Sequence, residues 1–93
     1  MIKQFSDLKF NPLYDGVQAL IKFGDEYELS VVSHGSSYGG AKGLYEIAVF
    51  KNSEQTEMVG VTHEGDTVKG FLTEEEVTCI IKKMIAVTGF AGD

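Results

Sequence analysis

The feature that most limits the fold is a nine-residue interruption, Gly35 to Gly43, between two β-prone apolar runs. Ser30-Val31-Val32-Ser33 precedes it, and Leu44-Tyr45-Glu46-Ile47-Ala48-Val49 follows. The interruption holds four glycines, two serines, a tyrosine and a lysine. Such punctuation between apolar runs predicts two strands joined by a glycine-rich loop. Hairpin loops usually take about two to five residues, so a longer one is a place to look for function.

The strands can be read outward from that loop. Gly16 to Phe23 puts Val17, Ala19, Ile21 and Phe23 on one face of a strand, with Gln18 and Lys22 on the other. A helix competes there, because Leu13, Val17, Leu20 and Ile21 also fit a helical stripe; Gly16 and the Gly24-Asp25 turn favour the strand. Glu26 to Ser33 is its hairpin partner, with Tyr27, Leu29 and Val31 sharing a face. Leu44 to Lys51 is apolar on both faces, as in a central strand covered at least in part on each side. Asn52 to Gln55 is a polar turn, and Thr56 to Thr62 is a fourth strand carrying Met58, Val59 and Val61. Thr67 to Phe71 is at most a short extended piece. Met1 to Asp15 is an approach segment that crosses the sheet edge or pins one end of the core through Phe10.

One helix is plain. Thr73-Glu74-Glu75-Glu76 is a capping box, in which the Thr73 hydroxyl and the Glu76 carboxylate each take the other's backbone amide. Val77, Ile80, Ile81, Met84 and Ile85 form one apolar stripe, Gly89 ends the helix, and Phe90 is placed to fold back on the stripe. The expected fold is α+β. A four-stranded antiparallel sheet (β-β-β-β-α) carries one C-terminal helix packed on one face. Residues 1–93 form a single domain: approach segment 1–15, sheet 16–62, helix 73–88. One helix cannot hide Leu20, Val32, Leu44, Ala48 and Phe50 as well. Either the N-terminal segment or a second copy covers that face, and a symmetric homodimer is the expectation.

Charge narrows the partners. The net charge is −6 and all eight basic residues are lysines. Arginine, the side chain suited to bidentate recognition of phosphates and guanine edges, does not occur, so direct nucleic-acid binding is disfavoured. No apolar run reaches the roughly 18 residues of a membrane span, and the polar start of the chain does not read as a signal peptide. The lone Cys79 forms no internal disulfide, which fits a reducing cytoplasm.

Catalysis and metal binding find little support. Ser33 and His34 are adjacent in a strand and so point to opposite faces. No G-x-S-x-G elbow surrounds the serines. His34, His63 and Cys79 make no metal-ligand motif, Cys79 falls near the buried stripe, and no cofactor is implied. Gly39-Gly40-Ala41-Lys42-Gly43 invites a phosphate reading, but it leads into a strand rather than a helix. The candidate contact residues are therefore His34, Ser36, Ser37, Tyr38, Gly39, Gly40, Lys42 and Gly43, with Tyr38 as the anchor on a projecting loop.

Three motifs in order carry a resemblance. Ser30-Val31-Val32-Ser33-His34 is followed by Ser37-Tyr38-Gly39-Gly40 and by Lys42-Gly43-Leu44-Tyr45-Glu46-Ile47-Ala48-Val49. Gly70-Phe71-Leu72-Thr73-Glu74-Glu75-Glu76-Val77 comes later, and Gly16-Val17-Gln18-Ala19 adds a further stretch near the start. Together they resemble small uncharacterised accessory proteins of tailed bacteriophages, over about residues 16–85. Ser33 stands where members often carry an arginine, which weakens a basic role for that position. The resemblance implies a phage accessory protein in the cytoplasm of the infected bacterium, and it carries over no activity. Two functions follow as expectations. One is non-enzymatic binding that inhibits a host enzyme or defence component. The other is binding of a small molecule or nucleotide signal through the loop at an oligomer interface.

Overall fold

The computed structural model describes residues 1–93. Its strands are β1 (Asn11–Leu13), β2 (Gly16–Phe23), β3 (Tyr27–Ser33), β4 (Tyr45–Lys51), β5 (Glu54–Gln55) and β6 (Val68–Leu72), followed by α1 (Glu74–Thr88). All pairings are antiparallel, in the order β1-β2-β3-β4, with β5 and β6 sharing the far edge of β4. The period-2 pattern sets the inner face. Ala19, Val31 and Ile47 form one cross-strand row and Ile21, Leu29 and Val49 the next. Every one of these is at most 1% exposed. Val77, Ile80, Ile81 and Met84 of α1 pack on them in one core cluster. Full burial of each such side chain contributes about 1.5–3 kcal/mol.

The capping box forms as read. Thr73 Oγ accepts the Glu76 amide at 3.2 Å, and Glu76 Oε1 accepts the Thr73 amide at 3.0 Å. Gly89 closes the helix at φ 77°, its amide donating to the Ile85 carbonyl. Two details differ from expectation. Cys79 is exposed, because two residues along a helix from Val77 is about 200° around it, opposite the stripe. Phe90 does not return to the stripe. Its ring lies against Gly24 in the β2–β3 turn, since Gly92 and Asp93 draw the chain to the sheet edge by bonding Ile2 and Lys22.

The sheet has six strands rather than four. Thr56 to Thr62 is not a strand. Gly60 is left-handed at φ 84°, and the Thr62 hydroxyl accepts the Met58 amide at 3.0 Å while donating to the Met58 carbonyl. This closed turn still buries Met58 and Val61, but it leaves Val59 91% exposed. The place beside β4 goes to β6, whose Gly70 weakens the strand signal in the sequence. Asn52 and Ser53 alone make the tight turn, so Glu54 and Gln55 pair back as β5.

The approach segment does both things expected of it. β1 pairs with the β2 edge, while the Phe5 and Phe10 rings meet the Tyr45 ring at 5.0 and 5.8 Å. The Phe5 amide donates to Thr78 Oγ1 on the helix at 2.9 Å. It therefore lies on the helix side and does not wrap the outer face.

Candidate functional site

Residues 34–44 connect β3 to β4 as a chain of tight turns, with a short 3-10 turn at Gly40–Lys42. The expectation of a projecting loop fails here, because the segment is folded back on the outer face of the sheet. The Tyr38 amide donates to Glu46 Oε1 at 2.9 Å, and the Tyr38 carbonyl accepts the Phe71 amide at 3.1 Å. Glu46 shares the outer face with Val32 and Gln18. A Cβ at Gly70 would collide with Tyr38 Cβ, so the absent side chain there is what admits the loop.

Hydrogen bonds within the molecule consume nearly all the backbone amides of the segment. Ser37 Oγ accepts the His34 amide and donates to the His34 carbonyl, each at 2.9 Å. Ser33 Oγ donates to the Leu44 carbonyl. The Gly35 amide donates to Asp15 Oδ1 and the Ser36 amide to His34 Nδ1. The Ser37, Gly40, Lys42, Gly43 and Leu44 amides donate to backbone carbonyls within the segment. Only Gly39 and Ala41 remain, so the glycines do not offer a ring of free amides to a phosphate. They serve geometry instead. Gly39 takes φ 91°, and a Cβ at Gly40 would run into the His34 carbonyl.

The sequence-predicted residues thus divide. Ser37 and Gly39 are buried, His34 and Gly40 are half-buried, and Ser36, Tyr38, Lys42 and Gly43 are exposed. The His34 imidazole does not meet a serine hydroxyl in a hydrogen bond; its Nδ1 accepts the Ser36 amide, and the ring stands edge-on to Tyr14 at 5.3 Å. The Gly35 amide holds Asp15 below the usual carboxylate range, with His34 a lesser contributor. No three metal-ligating side chains come together.

The ring of Tyr38 stays free, 60% exposed, above a backbone tied on both sides. Phe71, missed in the sequence reading, bonds the Tyr38 carbonyl through its amide and is 55% exposed. Its φ is +57°, a conformation that costs a bulky L-residue about 1–2 kcal/mol. The signal that could have found it is Gly70-Phe71 directly before a capped helix, where an extended run must turn sharply. Residues held in such strained backbone conformations cluster at functional sites.

No helix is long and apolar enough to cross a membrane. No family model, curated protein or solved structure matches the chain.

Proposed function

We propose that this chain is a small non-enzymatic binding protein whose partner seats on the Tyr38–Phe71 surface. The observation that carries this reading is the pair of exposed aromatic rings on a backbone fixed by hydrogen bonds. Rigid aromatic side chains give large contact area at low ordering cost, as in interface hot spots. The net charge of −6 favours a partner with a basic patch and speeds their encounter. The phage resemblance supports a host enzyme or defence component in the infected cell as that partner, inhibited by being covered. Self-association is a companion proposal: Leu20 is 53% exposed on the outer face, beside half-exposed Val32, Ala48 and Phe50. Light scattering at micromolar concentration tests it, and a clean monomer removes it.

The binding reading is tested by affinity capture from bacterial lysate with wild type, Tyr38→Ala and Phe71→Gly. Loss of a hot-spot ring costs about 2 kcal/mol or more, so each variant should recover at least about tenfold less partner. Tyr38→Ala should change the melting temperature little. Phe71→Gly removes the left-handed strain and should hold or raise it. Equal recovery by all three proteins would sink the proposal.

A further inference from the structure

The edge of the sheet opposite β1 is formed in part by β6, and it is open at one place. The Val49 amide donates to the Thr67 carbonyl, and Lys69 lies opposite Ile47. Backbone groups in an antiparallel ladder point to alternate sides, so Thr67 and Lys69 face β4 while Val68 and Gly70 face outward. The Val68 carbonyl is taken by the His63 amide at 3.0 Å, whereas the Gly70 N–H and C=O bond no other segment. Unpaired groups on a strand edge are a template for a further strand. His63 fills the neighbouring place beside Val68, so a strand seated at Gly70 cannot continue past it. The two sides of this place differ. On the outer face Tyr38 stands against Gly70. On the helix side, a cavity of about 140 Å³ lies between β6 and α1, lined by Leu72 and Ile80 together with Lys69 and Lys83. It is smaller than whole-ligand sites of roughly 300–1,000 Å³ and suits a single side chain. Glu76 also lines it, but its Oε1 already accepts the Thr73 amide. Two ammoniums thus stand against one carboxylate that is already engaged.

We infer that the β6 edge at Gly70 receives the free C-terminus of an extended partner segment. This rests on the reading of Tyr38–Phe71 as the binding surface and names what that surface takes. Running antiparallel to β6, the partner's penultimate residue exchanges both backbone bonds with Gly70 and sets its side chain beside Tyr38. Its last residue stands opposite Lys69, where His63 ends the groove. Side chains alternate along a strand, so the last one turns to the helix side and enters the small apolar cavity. The terminal carboxylate there meets the ammoniums of Lys69 and Lys83. Strand addition at a sheet edge and capture of a terminal carboxylate are both recurrent modes of peptide recognition. On a chain of net charge −6 this local positive charge is what selects the carboxylate end.

The test is an amide-resolved NMR titration at about pH 7, where carboxylates and lysines are charged. The probe is acetyl-Ala-Leu-Val with a free carboxylate, and the same peptide as its C-terminal amide is the comparison. The free acid should shift Val68, Lys69, Gly70 and Phe71, Gly70 most of all, with affinity on the order of millimolar, as its size allows. The amide should bind at least about fivefold more weakly. N-methylation of the leucine nitrogen, which removes the donor to the Gly70 carbonyl, should weaken binding by a similar factor. Lys69→Gln should weaken the free acid by about threefold or more, with the folded spectrum retained. Three outcomes would each overturn the inference: no shifts at about 10 mM free acid, equal binding of acid and amide, or Gly70 shifts that follow protein concentration without peptide, which would place a second copy there. Capture of a lysate partner that is lost in Tyr38→Ala but fully kept in Lys69→Gln would also overturn it, while leaving the Tyr38–Phe71 surface standing.

Discussion

On the inner face of the sheet, Ile21, Leu29, Ile47 and Val49 have no solvent exposure, whereas Leu20, next to Ile21, is 53% exposed on the outer face. The strands are the same; what differs is what lies across them. The inner face meets a continuous helical stripe, a non-directional match that needs only apolar residues at the right period. The outer face meets the Gly35–Gly43 loop at its Glu46–Gly70 end, through single hydrogen bonds and two glycines that let backbones approach. The first contact is made of area and the second of geometry. Substitutions should therefore hurt them in different ways.

The largest effect is expected inside. Ile47→Ala should destabilise by about 2–5 kcal/mol, measured by urea unfolding, because it opens a cavity in the fully packed row of Ala19 and Val31. Next comes Gly40→Ala, where the added methyl meets the His34 carbonyl. A cost of about 1–3 kcal/mol is expected. An effect near zero would mean that the loop does not hold its folded-back position. Thr73→Ala, which removes the helix cap, should cost about 1 kcal/mol. Leu20→Ala belongs at the bottom of the scale, within about 0.5 kcal/mol, since the outer face gives little burial there. A much larger loss for Leu20→Ala would show that a second copy covers this face.

Acid should separate the helix from the loop. The Thr73 amide, then its hydroxyl, holds Glu76 below its usual value, as the Gly35 amide does for Asp15. For depressed carboxylates the stabilisation is present above the ordinary range near pH 4 and is lost as pH falls through the folded-state values. The melting temperature should therefore drop below about pH 4. Glu76→Gln and Asp15→Asn should each flatten that drop. Tyr45 behaves in the opposite sense: burial, then nearby Glu74, raises it above its usual value. Its contribution is complete below about pH 10 and is lost as pH rises further.

Legibility in the sequence followed the same division. Strands β2, β3 and β4 and the capped helix could be read because each declares itself within a few residues, by period or by a cap motif. Met58 and Val61 misled, since two buried apolar residues look alike in a strand and in a closed turn. The turn is made by Thr62 bonding back to Met58, a contact with no periodic signature. Phe71 was invisible as a surface residue for a related reason. Its outward turn depends on a bulge in the β4–β6 pairing and on the Tyr38 carbonyl, which lies 33 positions earlier in the chain.

The glycine-rich stretch shows where the boundary falls. Its own residues determined that the chain must interrupt two strands there, because glycine clusters do not continue a ladder and apolar alternation resumes on both sides. They did not determine that the loop would lie on the outer face instead of standing out from it. That was decided by Glu46, Gly70, Phe71 and Asp15, residues from three other segments that accept, donate or make room. Local sequence sets φ/ψ preference and period, which act over a few residues. Hydrogen-bond partners and empty space are assigned only when distant segments meet.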